Sequence, residues 1–293
     1  MRYRFFALCV MMTACGGAQF FPESKKKNTS DNNQSQDVTN KACLNLVNGV
    51  ETSDQEAVVI IETASGYCTG TFVSDSTLIT AAHCAHDKSP TGGIRYKKIN
   101  PLHLTHYGKL AGSKSKVWQD LMIVTFPEGT SKSFVSLNNV APKVGDRIQI
   151  IGFGQTDLIR DNKPDGKKRK GFNTITKIQE NNTVLTYEAP RSHEGITPGE
   201  KAMTGRGDSG GPIFAEGGGL VGIVSRGSLE PNLTEYDVNL FSTESLKLME
   251  AAITRGSKIT GIENVRSHLD PNGNLKGTEP LSSSALAATH RCL

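Results

Sequence analysis

Three short segments carry residues that together could perform nucleophilic acyl transfer. Thr204-Gly-Arg-Gly-Asp-Ser-Gly-Gly-Pro-Ile213 sets Ser209 between Gly-Asp and Gly-Gly-Pro. Leu78-Ile-Thr-Ala-Ala-His-Cys84 carries His83, and Gln119-Asp-Leu-Met-Ile-Val124 carries Asp120. A serine hydroxyl is a poor nucleophile near neutral pH and needs a neutral imidazole to take its proton. That imidazole needs its far nitrogen held by a buried carboxylate, which fixes the tautomer and stabilises the imidazolium. The developing oxyanion needs two backbone N–H groups aimed at one point. Gly207 and Ser209 could supply them if Gly207 adopts a conformation costly for other residues. Taken singly, each motif has a bland reading: a Gly-rich turn, a core histidine, a surface acid or helix cap. The order His, Asp, Ser with the Cys68 and Cys84 bracket makes chance a poor explanation, and distinguishes the chain from scaffolds that run the same trio in other orders.

The elements that must position these groups read mostly as strands. Residues 57–61, 69–74, 77–80, 121–126, 147–152, 173–178, 183–187 and 220–225 are short apolar runs rich in β-branched residues, bounded by Gly, Asn, Asp or Pro. Many short strands with few helices predict antiparallel sandwiches or barrels. One helix is expected over 243–255. Ser242 or Thr243 caps it, Glu244 sits in its first turn, Leu246, Met249, Ala252 and Ile253 share a face, and Gly256 ends it. Residues 256–293 form a weakly patterned extension. His103 and His106 have no companion ligands at metal spacing and read as loop histidines. Asp270-Pro-Asn-Gly-Asn274 reads as a turn and lacks a calcium-loop pattern. No metal and no cofactor is expected.

The 293 residues suffice for one large or two small domains, and the net charge of +4 is too mild to argue for nucleic acid. The basic cluster Lys167-Lys-Arg-Lys170 reads as a solvated turn, or as a cleavable loop over the site. At the amino terminus, Arg2 and Arg4 precede an apolar run too short to span a bilayer. Thr13-Ala-Cys-Gly16 resembles a bacterial lipoprotein cleavage box with Cys15 lipidated, although Met12 stands where leucine is usual. The other reading is a plain signal cut near Ala18. Residues from about Pro22 to Asn40 are polar, and the segment 16–45 is expected to be a disordered tether or propeptide. An exported protein is expected, periplasmic or at the cell surface, either held to a membrane through Cys15 or secreted after cleavage. An oxidising compartment suits the cysteines: Cys68 and Cys84 at a spacing for a bridge between adjacent strands, and Cys43 paired with Cys292, the alternative being two free thiols.

With Thr80-Ala-Ala-His-Cys84, Asp120-Leu-Met-Ile-Val124, Gly207-Asp-Ser-Gly-Gly-Pro212, Gly152-Phe-Gly-Gln-Thr156 and Val224-Ser-Arg-Gly227 in view, the chain resembles the trypsin/chymotrypsin-like serine peptidase family from about Leu46 to Arg255. The resemblance implies an all-β fold of two antiparallel Greek-key barrels, about 46–135 and 136–241, followed by the helix. It implies His83 and Asp120 from the first barrel, Ser209 from the second, and Ser225 hydrogen-bonded to Asp120. Residues 225–227 would pair with the substrate backbone as an added strand. The implied substrates are proteins or peptides, and the implied state is a monomer.

The chain departs from the family pattern at two places. Leu46-Val-Asn-Gly49 resembles the amino terminus that such enzymes free on maturation, whose ammonium would pair with Asp208, yet residue 45 is Asn rather than Arg or Lys. Lys41 is a better tryptic site but lies five residues too early. In the specificity pocket, Met203 stands where trypsins carry an aspartate, and Gly205 replaces a disulfide cysteine. Gly227 leaves the mouth open. Asp237 is a candidate for the back wall that could attract a basic side chain. Arg206 and Arg226 near the mouth oppose cations, so an apolar P1 residue is expected. The expected function is an endopeptidase; a catalytically silent binding or regulatory protein and an acyl esterase are the alternatives.

Overall fold

The computed structural model describes residues 46–86, 90–107, 116–155, 165–228, 233–270 and 276. The export signal, the tether, Cys15, Cys43, Cys292 and the Asn45 junction lie outside the described residues.

Among the described residues, thirteen strands run in chain order as β1 (Val50–Glu51), β2 (Val58–Thr63), β3 (Gly66–Phe72), β4 (Thr77–Ala81), β5 (His103–His106), β6 (Leu121–Thr125), β7 (Arg147–Gly152), β8 (Arg169–Thr174), β9 (Lys177–Gln179), β10 (Val184–Ala189), β11 (Pro212–Ala215), β12 (Leu220–Ser228) and β13 (Leu233–Asn239). They form two antiparallel sheets, five strands in the order β2-β3-β4-β6-β5 and eight in the order β1-β8-β7-β11-β12-β13-β10-β9. All residues of β4 and β6 are buried, which explains why Leu121-Met-Ile-Val-Thr125 reads as a continuous apolar run rather than an alternating one. Phe72, Tyr96 and Phe126 meet edge-on or tilted inside the first sheet. A second core joins Val58, Val73, Ile79 and Ile123 to Ile148, Ile150, Ile213 and Val238, so side chains from both sheets share one interior.

The expected mostly-β fold, two antiparallel sheets followed by a carboxy-terminal helix, is present, with corrections at its edges. The arm 46–51, assigned by chain order to the first barrel, pairs instead with the second sheet, Val50 opposite Lys170. The run 173–178 is not one strand: it ends β8, turns at Ile175 and begins β9. His103 and His106 are not loop residues but the two ends of β5, opposite Thr125 and Met122. The basic cluster is not a simple solvated turn. Arg169 is buried and its guanidinium holds Asp165, while Lys167 and Lys170 reach Glu51 and Asp54.

The predicted helix is α1 (Thr243–Thr254). Ser242 caps it, its Oγ accepting the Ser245 N–H at 3.1 Å, and Leu248, Met249 and Ala252 are buried. Gly256 ends it at φ +97°, a conformation that favours glycine. A second helix, α2 (Ile262–His268), occupies the segment that sequence patterning left unassigned. The stretch between the helices crosses back to the first sheet: Ser257 Oγ bonds Thr125 Oγ1 at 2.7 Å, the Lys258 N–H donates to Thr77 Oγ1 at 2.9 Å, and the Thr260 N–H donates to the Val73 carbonyl at 3.1 Å. Tyr107, after β5, donates its hydroxyl to the Glu244 carbonyl and meets Trp118 edge-on.

Candidate active site

Two tight 3-10 turns present the first two predicted residues. Ala82–Cys84 continues β4 and carries His83; Val117–Asp120 leads into β6 and carries Asp120. Because β4 and β6 are paired, Ala81 opposite Leu121, both turns leave the same end of the sheet and meet. Asp120 is buried, 1% exposed, and has three donors. Its Oδ1 accepts the His83 backbone N–H at 2.8 Å; its Oδ2 accepts His83 Nδ1 at 2.7 Å and the Ser225 hydroxyl at 2.6 Å. A carboxylate taken out of water needs such compensation. The bond assigns the imidazole proton to Nδ1, leaving Nε2 as the acceptor. Ser225 lies in β12, so the second sheet fixes the acid of the first, as the resemblance implied. The disulfide Cys68–Cys84 joins β3 to the His83 turn, the predicted pairing. Cys68, His83 and Cys84 offer ligand-type atoms close together, but both sulfurs are spent in that bridge.

The Ser209 loop reaches these turns through backbone contacts. The Thr69 N–H donates to the Ser209 carbonyl at 3.0 Å, and Cys84 Sγ lies 3.9 Å from the same oxygen. Gly210 has φ +77°, and a Cβ there would stand 2.0 Å from Thr80 Oγ1 and 2.6 Å from the Ala81 nitrogen. Only glycine lets the loop approach the strand that delivers His83. On the other side, the Gly210 N–H donates to the Val224 carbonyl at 2.8 Å and the Val224 N–H to Gly211 at 2.9 Å, fixing the loop to β12. No hydrogen bond joins the Ser209 hydroxyl to His83 Nε2 in this structure; such contacts are often long before substrate arrives. Gly207 has φ +101°, and neither its N–H nor that of Ser209 is taken by another described group.

Around this loop the structure adds what the motifs could not. Tyr67, immediately before Cys68, covers Gly207: a Cβ at Gly207 would lie 2.5 Å from its ring and hydroxyl. Burial, with Asp208 and Asp165 nearby, pushes the Tyr67 phenol up to about 12. Asp208 is fully buried and accepts the Gly154 N–H at 2.7 Å and the Gly205 N–H at 2.9 Å. Burial outweighs those two donors and the Arg169 charge, raising its pKa to about 7. Leu46 is buried, and the next residue, Val47, bridges Met203 through its carbonyl at 3.1 Å. The Asn48 amide donates to the carbonyls of Thr197 and Glu200. Met203 is itself buried, while Arg206 is exposed and Arg226 half-buried.

Asp237, expected on the back wall, accepts the Ser225 N–H at 2.7 Å through Oδ1. Burial and the neighbouring Glu235 raise its pKa well above the usual carboxylate range. Sequence reasoning missed Glu235, which accepts both the Thr204 N–H at 3.0 Å and the Thr204 hydroxyl at 2.5 Å on Oε1. Only the register of β12 against β13, Gly227 opposite Glu235, reveals it.

An imidazole held by a buried acid at the seam of two antiparallel β-sheets is the architecture of the chymotrypsin-like serine proteases, and solved structures of that fold superpose on this chain. Mouse neuropsin, a serine protease, matches with a TM-score of 0.54 at 21% identity, covering 71% of this chain and 98% of its own. Human heparin binding protein matches with a TM-score of 0.53 at 14% identity, covering 72% and 97%. The Trypsin family model matches residues 46–245, and the chain belongs to that family. A putative peptidase of Corynebacterium glutamicum is 25% identical over 182 residues, 62% of this chain and 60% of the relative. Snake venom serine protease 1 of Craspedocephalus gramineus is 28% identical over 204 residues, 62% and 78% respectively. The chain thus spans about 60% of the length of the corynebacterial relative it matches. Among the described residues no helix is long and apolar enough to cross a membrane.

Proposed function

We propose that the chain is an exported serine endopeptidase that cleaves protein or peptide substrates through an acyl-enzyme on Ser209. The observation that carries this reading is the Asp120 carboxylate, buried and holding His83 Nδ1 while Ser225 of the other sheet holds it in turn. In the first step Ser209 Oγ attacks the scissile carbonyl carbon as its proton passes to His83 Nε2. The carbonyl oxygen becomes an oxyanion facing the N–H groups of Gly207 and Ser209. Collapse breaks the C–N bond, and His83 returns the proton to the leaving amine. Water then attacks the ester with His83 as base, releasing the acid and restoring the serine. Asp120 stays ionised throughout and stabilises the imidazolium.

Activation in this reading follows a cut before Leu46, whose new ammonium would neutralise Asp208. The buried Leu46, the docked Val47 and the unneutralised Asp208 carboxyl support it. Export, with Cys15 lipidated or an ordinary signal removed, rests on the amino-terminal sequence, and the covalent Cys68–Cys84 bridge is consistent with it.

The test is labelling of the mature protein by an active-site fluorophosphonate. Labelling that Ser209→Ala abolishes supports the reading, and amino-terminal sequencing of the labelled species should give Leu46. A correctly processed protein that takes no label would be a binding protein on this fold, and turnover of esters without any peptide cleavage would make it an acyl esterase.

A further inference from the structure

The geometry points to Glu235 as the residue that selects the substrate side chain: it forms an anionic floor beneath Gly227 that takes a cationic P1 residue, lysine or arginine. This rests on the peptidase reading above. Glu235 is 1% exposed, yet only one of its oxygens is satisfied: Oε1 has the two Thr204 donors, whereas Oε2 has no hydrogen-bond partner. A buried charged oxygen without a partner is costly, and such atoms in native proteins call for an explanation. Gly227 supplies it. It is exposed to the cleft and directly opposite Glu235 in the β12–β13 register. A Cβ placed there would lie 3.2 Å from that same Oε2, so the missing side chain is what leaves the carboxylate reachable. Gly227 belongs to the 225–227 segment expected to bind substrate backbone, and Thr204 heads the loop that ends in Ser209. The carboxylate therefore sits between the two walls that would flank a P1 side chain. An ammonium or guanidinium there would give Oε2 the donor it lacks.

Two features of the sequence argued for an apolar P1 residue, and the structure weakens both. Met203 does stand where trypsins carry aspartate, but the acid is supplied from β13 instead. Arg206 is exposed, so its repulsion is screened by water and salt; Arg226 is half-buried but is paired with Tyr236, one position along β12 from the Gly227–Glu235 pair; and Glu235 acts from a desolvated position where a charge counts far more. Asp237 Oδ2 likewise lacks a hydrogen-bond partner, but Asp237 is paired with Leu185 of β10 and it is Glu235 that stands opposite the exposed Gly227, so position and not satisfaction selects Glu235.

The groups facing Glu235 also set a pH dependence. Tyr187 of β10 lies opposite it, Asp237 follows on the same face of β13, Thr204 and Asp208 come from the loop, and Arg226 and Gly227 from β12. Burial dominates and raises its pKa to about 7, with the Asp208 charge pushing the same way against the Thr204 bonds. The carboxyl is neutral below that pH and charged above it. Preference for a cationic over an apolar P1 side chain should therefore fall as the pH drops through 7. Taking a ratio of substrates cancels any pH effect common to both.

The experiment uses mature protein that labels with the fluorophosphonate, so failure to label condemns the peptidase reading separately. Peptides differing only at P1 (Lys, Arg, Leu, Phe) are compared at pH 8. The expected kcat/KM for Lys and Arg is at least about tenfold above Leu and Phe. Glu235→Gln should lower it about 100-fold for Lys and Arg while leaving Leu and Phe within about threefold. Labelled protein that prefers Leu or Phe, or a Glu235→Gln variant with unchanged preference, overturns the inference. Should that variant not fold, the wild type decides: benzamidine must bind at least about tenfold more tightly than neutral benzamide, and equal binding overturns the proposal.

Discussion

Ser225 places a hydroxyl from one sheet on the acid of the other, and its removal isolates that contribution. Ser225→Ala takes from Asp120 one of three donors without touching the His83 bond. A hydrogen bond to a charged group is worth about 1.5–3 kcal/mol. We expect kcat to fall about 10- to 100-fold with KM little changed, because substrate binding does not need that hydroxyl; steady-state kinetics on one peptide reads both. At this scale the sequence was informative wherever chemistry imposes a local pattern. His83, Asp120 and Ser209 stand in motifs whose neighbours have reasons of their own, such as Gly210 against Thr80. Glu235 stands in no motif. Its role depends on the residue across the strand pair, and no spacing along one chain encodes that.

Strand segments were legible for the same local reason: β-branched runs such as Arg147-Ile-Gln-Ile-Ile-Gly152 need little else to declare themselves. What escaped were elements defined by partners. β1 is two residues long and exists because Lys170 and Arg169 lie opposite it. β5 carries two histidines and no apolar alternation, and its pairing with β6 makes it a strand. α2 has only seven residues, too few for a clear helical period, and is held by what it buries. Ile262 and Val265 are its buried residues, and the preceding segment is bonded to Thr77, Val73 and Thr125 of the first sheet. The stretch 256–270 is therefore structural. Ile262→Ala should cost about 2–5 kcal/mol in denaturant unfolding while fluorophosphonate labelling of the folded fraction persists. A loss under 1 kcal/mol would mean the segment merely rests on the surface.

Besides Asp120, the described residues bury three carboxyl groups, Asp208, Glu235 and Asp237, and all three have raised pKa values. Carboxyls of the unfolded chain titrate near 4. Between pH 4 and 7 the folded state therefore holds protons that the unfolded state has already released, and stability falls as pH rises through that window. Glu235→Gln keeps an oxygen for Thr204 and removes one of the three charges. Its Tm should vary less between pH 4.5 and 7.5 than that of the wild type and lie above it at pH 7.5. The scale is about 2–4 °C for each kcal/mol recovered; parallel pH profiles for the two proteins would refute the ledger of buried charge. The chain has a single tryptophan, Trp118, and it lies within the turn that delivers Asp120, its ring against Tyr107. Nature has thereby put the molecule's brightest intrinsic chromophore two residues from the acid. Emission excited at the indole band reports on that turn alone, so its colour and quenching follow any rearrangement there in real time with no dye attached.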